Sequence, residues 1–201
     1  HQFDSDRWTS TIVSMVGQVM ECELEPGLVL ASLARKDRME EMEFHFPVQP
    51  GFLPDLISAL PTGCLLESYL RGVGGSERHR IETAGYLKGL VDLIFRVDGK
   101  HYVLDWKSNK LNGRLDGFGQ KELEREMLDH HYVLQYHLYV VATHRFLSKR
   151  LPNYSYGRDF GGVYYLFTRG MQVGSKSGIF HDLPELSIIE ALDQFLTEPQ
   201  V

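Results

Sequence analysis

Residues 85–109, Gly-Tyr-Leu-Lys-Gly-Leu-Val-Asp-Leu-Ile-Phe-Arg-Val-Asp-Gly-Lys-His-Tyr-Val-Leu-Asp-Trp-Lys-Ser-Asn, read as a β-hairpin. Runs of β-branched and aromatic residues flank Asp98-Gly99, a strong turn signal, and a two-residue loop fixes the pairing of everything around it. Val97 then faces Lys100, Phe95 faces Tyr102, Leu93 faces Leu104, and Asp92 falls opposite Asp105. Cβ atoms in such a pair lie about 5 Å apart, so two like charges there repel. Val91, Leu93, Phe95, Tyr102, Leu104 and Trp106 are expected to form the apolar face of a packed sheet, with the acids on the other face. Lys107 lies two residues beyond Asp105, so strand alternation puts its ammonium on the carboxylate side, about 7 Å further along. A divalent cation between the carboxylates would turn their repulsion into binding. An unliganded, partly buried pair would instead keep a proton on one partner through a raised pKa.

Either motif alone has a plainer explanation. An Asp-x-Lys tripeptide arises by composition about once in a chain of this length. A strand-end aspartate is commonly a solvated turn residue, and Lys107 suits an edge-strand charge that blocks aggregation. The conjunction favours a metal site: an Asp opposite an Asp, a Lys at the alternating position, and Ser108-Asn109 ending the strand.

The same stretch resembles the C-terminal nuclease domain of the RecB family, the beta subunit of exodeoxyribonuclease V, within the PD-(D/E)XK superfamily. Gly89-Leu90-Val91-Asp92 is similar to the family's Gly-x-x-Asp motif, and Leu104-Asp105-Trp106-Lys107-Ser108-Asn109 to its Asp-Tyr-Lys-Ser-Asn motif, with Trp in place of Tyr. Gln135-Tyr136-His137-Leu138-Tyr139 fits its Gln-x-x-x-Tyr motif, and Phe160 to Gly170 resembles the strand near the end of the RecB chain. The motifs follow the family's order and cover roughly residues 40 to 180.

The resemblance implies an α/β fold, a central mixed β-sheet flanked by helices. It implies that Asp92 and Asp105 bind Mg2+, with Mn2+ a possible substitute, that the main-chain carbonyl of Trp106 adds a ligand, and that Lys107 serves the attacking water or the phosphate. The implied activity is hydrolysis of DNA, mainly single-stranded, as an attached helicase unwinds it during double-strand break repair and recombination. ATP would enter only through that helicase, since no motor ATPase motif occurs in this chain. RecC-type and RecD-type subunits and a RecA-type recombinase are the implied partners, and the cytoplasm the implied location. The family carries a further metal-ligating histidine on a helix well upstream of the hairpin. His1-Gln2-Phe3-Asp4 is similar to the stretch just after that helix, so the ligand is expected to precede the residues given, with His1 itself as the alternative. A nuclease-like docking module that binds a partner subunit or recombinase without cleaving DNA is the competing reading. Intact Asp92, Asp105 and Lys107 argue against it, because docking alone has no need of them.

Composition bounds the rest. A chain of 201 residues with 43% hydrophobic content is long enough for one ordinary core, so residues 1–201 are expected to form a single nuclease domain of a larger helicase-nuclease chain. No apolar run approaches the roughly 20 residues of a membrane span, and the first residues do not resemble a signal peptide. Cys22 and Cys64 are too few for a four-cysteine iron-sulfur cluster. A net charge of −6 argues against coating DNA by electrostatics alone. Binding is then local, with Lys88, Arg96, Lys110, Arg145, Lys149 and Arg150 as candidate phosphate contacts, most of them better read as solvated surface charges.

Along the chain, a helix is expected from Ser5 or Asp6 to about Met20, and a second from Pro26-Gly27 to about Ala34. Met42 to Val48 alternates as a strand, and residues 49–80 read as loops around a short helix near Leu56. Lys121 to Leu151 reads as one long helix with Tyr132, Gln135 and Tyr139 on one face. Two roles stand for Gln135 and Tyr139: ordinary core and interface, or support of the metal-binding strands and contact with the DNA backbone. His130, His131 and His137 lack convincing zinc spacing. Gly161 to Phe167 is a strand, Ile179-Phe180 a short return, and Leu186 to Phe195 a closing helix.

Overall fold

The computed structural model describes residues 5–48, 51–74, 80–81, 85–111 and 115–196. In chain order the elements are α1 (Ser5–Glu21), β1 (Glu23–Glu25), β2 (Leu28–Val29), β3 (Arg38–Val48), β4 (Gly51–Phe52), α2 (Leu53–Ala59), α3 (Leu65–Gly74), β5 (Arg80–Ile81), β6 (Gly85–Val97) and β7 (Lys100–Lys107). Then follow α4 (Gln120–Asp129), α5 (Tyr132–Arg150), α6 (Tyr156–Asp159), β8 (Phe160–Phe167), β9 (Ile179–Asp182) and α7 (Leu186–Phe195). His1 lies outside the described residues.

Five strands form one mixed sheet in the order β3-β6-β7-β8-β9. All its pairs are antiparallel except β7 with β8. That parallel pair is joined through α4, α5 and α6, since parallel neighbours need a crossover of a dozen residues or more. Asp98 (φ 49°) and Gly99 (φ 81°) both take positive φ, the two-residue turn whose twist matches the strands it joins. On one face of the sheet Val91, Ile94, Val103, Val163 and Tyr165 pack against α2, α3, α5 and α7 through Leu56, Leu66, Val140 and Ile189. On the other, Leu93, Phe95, Tyr102, Leu104, Tyr164 and Leu166 meet Val19 of α1, Cys22 just after that helix, and the segment Leu24 to Leu30.

The sheet forks where the site lies. The β6–β7 ladder runs from Val97↔Lys100 to Leu93↔Leu104 and ends there. Beyond it, residues 85–91 pair with β3, forming a two-stranded wing, while Asp105, Trp106 and Lys107 pair with Tyr165, Leu166 and Phe167 of β8. Alternation breaks at the same point. Val91 faces the helices, whereas Leu93 and Phe95 both face α1, so Asp92 sits at an irregularity. Glu41, between the pairs Glu40↔Leu93 and Met42↔Val91, takes φ 54° and matches that break on β3.

Several expectations are corrected. Asp92 is not paired with Asp105 across the ladder, because the strands diverge one residue earlier. Val91 leaves the apolar face assigned to it for the same reason, and Trp106 is 37% exposed rather than core. Residues 26–34 are not a helix. β1 and β2 form a tight hairpin around Gly27 (φ 82°), followed by a single 3-10 turn at Leu30–Ser32. The 121–151 helix is two helices, broken at His131 in the left-handed region (φ 61°), where Tyr69 Oη and His131 Nδ1 lie 2.9 Å apart. Residues 65–74 form α3, although Gly72 and Gly74 read as loop, because Leu66, Tyr69 and Leu70 bury one helical face.

Candidate active site

Four side chains close a hydrogen-bonded ring on the helix face of the fork. Lys107 Nζ lies 2.6 Å from Asp105 Oδ2 and donates to Gln135 Oε1 at 3.0 Å. Gln135 Nε2 donates to Tyr139 Oη at 2.9 Å, and Tyr139 in turn hydrogen-bonds the Asp105 carboxylate. β7 supplies the acid and the base on one face because its alternation persists through Lys107. α5 supplies Gln135 and Tyr139 one turn apart, which puts both over the same strand. Asp92 approaches from the other arm of the fork. Its Oδ2 accepts the Trp106 N–H at 3.0 Å, which takes the place of the missing ladder bond.

Burial sets the electrostatics. Asp105 is 3% exposed and Lys107 9%. Desolvation pushes the Asp105 carboxyl up to about 6, against the pull of Lys107 and with a further push from the Asp92 charge. Tyr139 is driven well above its ordinary value by burial and by the two carboxylates, so it stays a donor. The Lys107 ammonium also lies 3.9 Å from the centre of the Tyr132 ring and 4.8 Å from that of Tyr165, where ring quadrupoles stabilise a cation. Tyr165 Oη donates to Gln135 Oε1 at 3.0 Å, which fixes the amide so that its oxygen faces the lysine.

The fork therefore brings Asp92, Asp105, Trp106, Lys107, Gln135 and Tyr139 to one place. Tyr132 and Tyr165 are additions to the residues read as functional from sequence. Tyr165 sits beside Asp105 in the parallel β7–β8 register, a pairing that only a known crossover reveals. Asn109 is fixed by Glu126 of α4 at 2.6 Å and by Tyr132 at 3.2 Å, which anchors the end of β7. None of the basic candidates joins the ring. Lys88 is paired with Glu43, Arg96 with Asp37 and Arg145 with Asp193, Arg150 covers the Phe146 ring, and Lys110 is exposed.

Among the described residues no group of three or more His, Cys, Asp or Glu side chains is arranged to hold a metal ion. An ion at the fork would draw on two carboxylates, the Trp106 carbonyl and water. That donor set is all hard oxygen and carries two negative charges, which fits Mg2+, an ion that binds through one or two carboxylates and keeps several waters.

Comparison with known proteins gives close relatives over nearly the whole chain. The RecB subunit of the Haemophilus influenzae RecBCD enzyme is 38% identical over 191 residues, covering 94% of this chain and 15% of the relative. The RecB subunit from Escherichia coli K12 is 34% identical over 190 residues, covering 94% and 16%. A RecB subunit from Mycobacterium tuberculosis is 35% identical over 192 residues, covering 85% and 18%. The chain thus spans less than a fifth of the length of these relatives. No family model matches it.

Proposed function

The chain belongs to the RecB family as a RecB-type domain, and on that premise we propose that it is a metal-dependent deoxyribonuclease that cleaves phosphodiester bonds in DNA. The observation that carries this reading is the closed ring of Asp105, Lys107, Gln135 and Tyr139 at the fork, with Asp92 tied across it to Trp106.

In this reading Asp92, Asp105 and the Trp106 carbonyl would hold Mg2+. When bound, the ion supplies positive charge to the phosphate and acidifies water for attack on phosphorus. Lys107 donates to a non-bridging phosphate oxygen or to the attacking water, and it does so from a fixed point because Gln135 and two aromatic rings restrain its ammonium. Tyr139 orients the Asp105 carboxylate. Attack forms one P–O bond as the bond to the leaving sugar oxygen breaks, and positive charge at the fork offsets the negative charge that develops.

A net charge of −6 favours a strand delivered to the site over one captured by a basic surface, consistent with a helicase elsewhere in a longer chain and with RecC-type and RecD-type partner subunits. α1 exposes Ile12, Val13 and Val16, an apolar surface suited to such assembly or to a RecA-type recombinase. A cytoplasmic location follows from the same reading. The direct test is Mn2+ or Mg2+ titration by calorimetry alongside cleavage of labelled single-stranded DNA. Binding of metal and EDTA-sensitive cleavage, both lost in Asp105→Ala, are the expected results. Cleavage that persists in EDTA would overturn the proposal.

A further inference from the structure

Beside the ring, on the wing side of the fork, lies a cleft of about 220 Å³ between β3, β6 and α5. Its walls are the apolar side chains of Phe44, Leu87, Leu134 and Leu138, together with Gln135 and Tyr139, which also belong to the ring. The cleft therefore shares two side chains with the ring and lies directly beside it. Two features of the wing make it. The sheet has forked, so among the described residues no strand pairs with Gly89 on the β7 side. Gly89 also has no side chain, and a Cβ there would lie 2.2 Å from the Phe44 ring, which instead lies across the strand and reaches Tyr139 edge-on at 5.8 Å between centroids.

We propose that this cleft seats one unpaired nucleobase of the strand, next to the phosphate held at the fork, and so selects a single strand by shape. The inference rests on the nuclease reading above. The volume lies below the roughly 300–1,000 Å³ of pockets that hold drug-sized ligands, which leaves room for one base without its complement. Apolar and aromatic walls accept any base, because every base has an apolar face, and this gives strand selectivity without sequence selectivity. Lys88, paired with Glu43, and His131, bonded to Tyr69, line the same cleft, so its rim is polar where a sugar-phosphate backbone would pass outside.

The test is an abasic scan. A single-stranded oligonucleotide carries one abasic residue at successive positions about a defined scissile phosphate. Cleavage is measured with the chain itself, and binding by fluorescence anisotropy with the Asp105→Asn variant, which is expected to bind without cutting. One position beside the scissile phosphate should lower kcat/KM and affinity roughly tenfold, with its neighbours little changed. Leu134→Trp, which fills the cleft, should lower the intact strand by the same factor while cleaving the abasic strand at the wild-type rate, a result that also shows the variant is folded. Cleavage with a flat scan, or a dip that survives in Leu134→Trp, would overturn the cleft as a base site and leave the nuclease reading standing. A positional dip in binding with no cleavage would support the cleft and count against the nuclease. Neither binding nor cleavage would overturn both.

Discussion

At the scale of single residues, Lys107 is held by a carboxylate, an amide oxygen and two rings, so its position is set by side chains that need not touch DNA. Gln135 is a positioning residue in this arrangement. Gln135→Ala should lower kcat roughly 10- to 100-fold with KM little changed, since misplacement of about 1 Å can cost that much. A thermal midpoint near that of the wild type, measured alongside, separates this effect from simple loss of packing. His137 has the opposite character: it is buried, bonded to the Val133 carbonyl and makes none of the ring's bonds. Desolvation lowers its pKa to about 4, against 6.5 for a free imidazole. The unfolded chain therefore takes up the proton first, so stability is full above pH 6.5 and drains as the pH falls towards 4. Urea titrations of wild type and His137→Leu at pH 7 and pH 4 should differ in their acid loss by about 3 kcal/mol. Asp105 runs the other way, gaining stability as the pH falls through about 6, but it is common to both proteins and cancels in the comparison. Asp105 and Lys107 were legible in sequence because a period of two puts them on one face. The Asp92–Trp106 contact was not, because it depends on an irregularity at Asp92 that no residue type announces.

At the scale of elements, the hairpin, β3, β8 and the last helix follow directly from periodicity and turn chemistry. The failures share a cause. Nothing local marks His131 as a break, since α4 and α5 carry continuous helical patterning and the chain turns there to fit Tyr69 of α3. The left-handed conformation of Glu41 is likewise imposed by the wing rather than by its own preference. The parallel β7–β8 contact shows how tightly some of these junctions fit. A bulge at Gly161 lets β8 pass the Tyr102 ring, and a Cβ there would lie 2.2 Å from that ring. Gly161→Ala should destabilise the fold by about 1–3 kcal/mol, read as a lower urea midpoint with an unchanged slope. Because this junction also carries Tyr165 and Asp105 in register, the variant should lose activity at temperatures where wild type is stable.

At the scale of the molecule, an acidic chain places two carboxylates at the split of its own sheet and buries one of them. Such a site is costly to keep empty, and a cation that binds only the folded state should stabilise it by mass action. Mg2+ at about 100 times its dissociation constant should add about 2.7 kcal/mol to unfolding, an increment absent in Asp92→Ala. The measurement that bears most directly on the whole is single-turnover cleavage of a labelled single-stranded DNA in Mg2+ by the wild-type chain and by Lys107→Ala, with metal binding of both followed in parallel. Expected is cleavage by the wild type and none by a Lys107→Ala protein that still binds metal and remains folded. Equal cleavage by the two proteins would contradict the fork as the seat of catalysis.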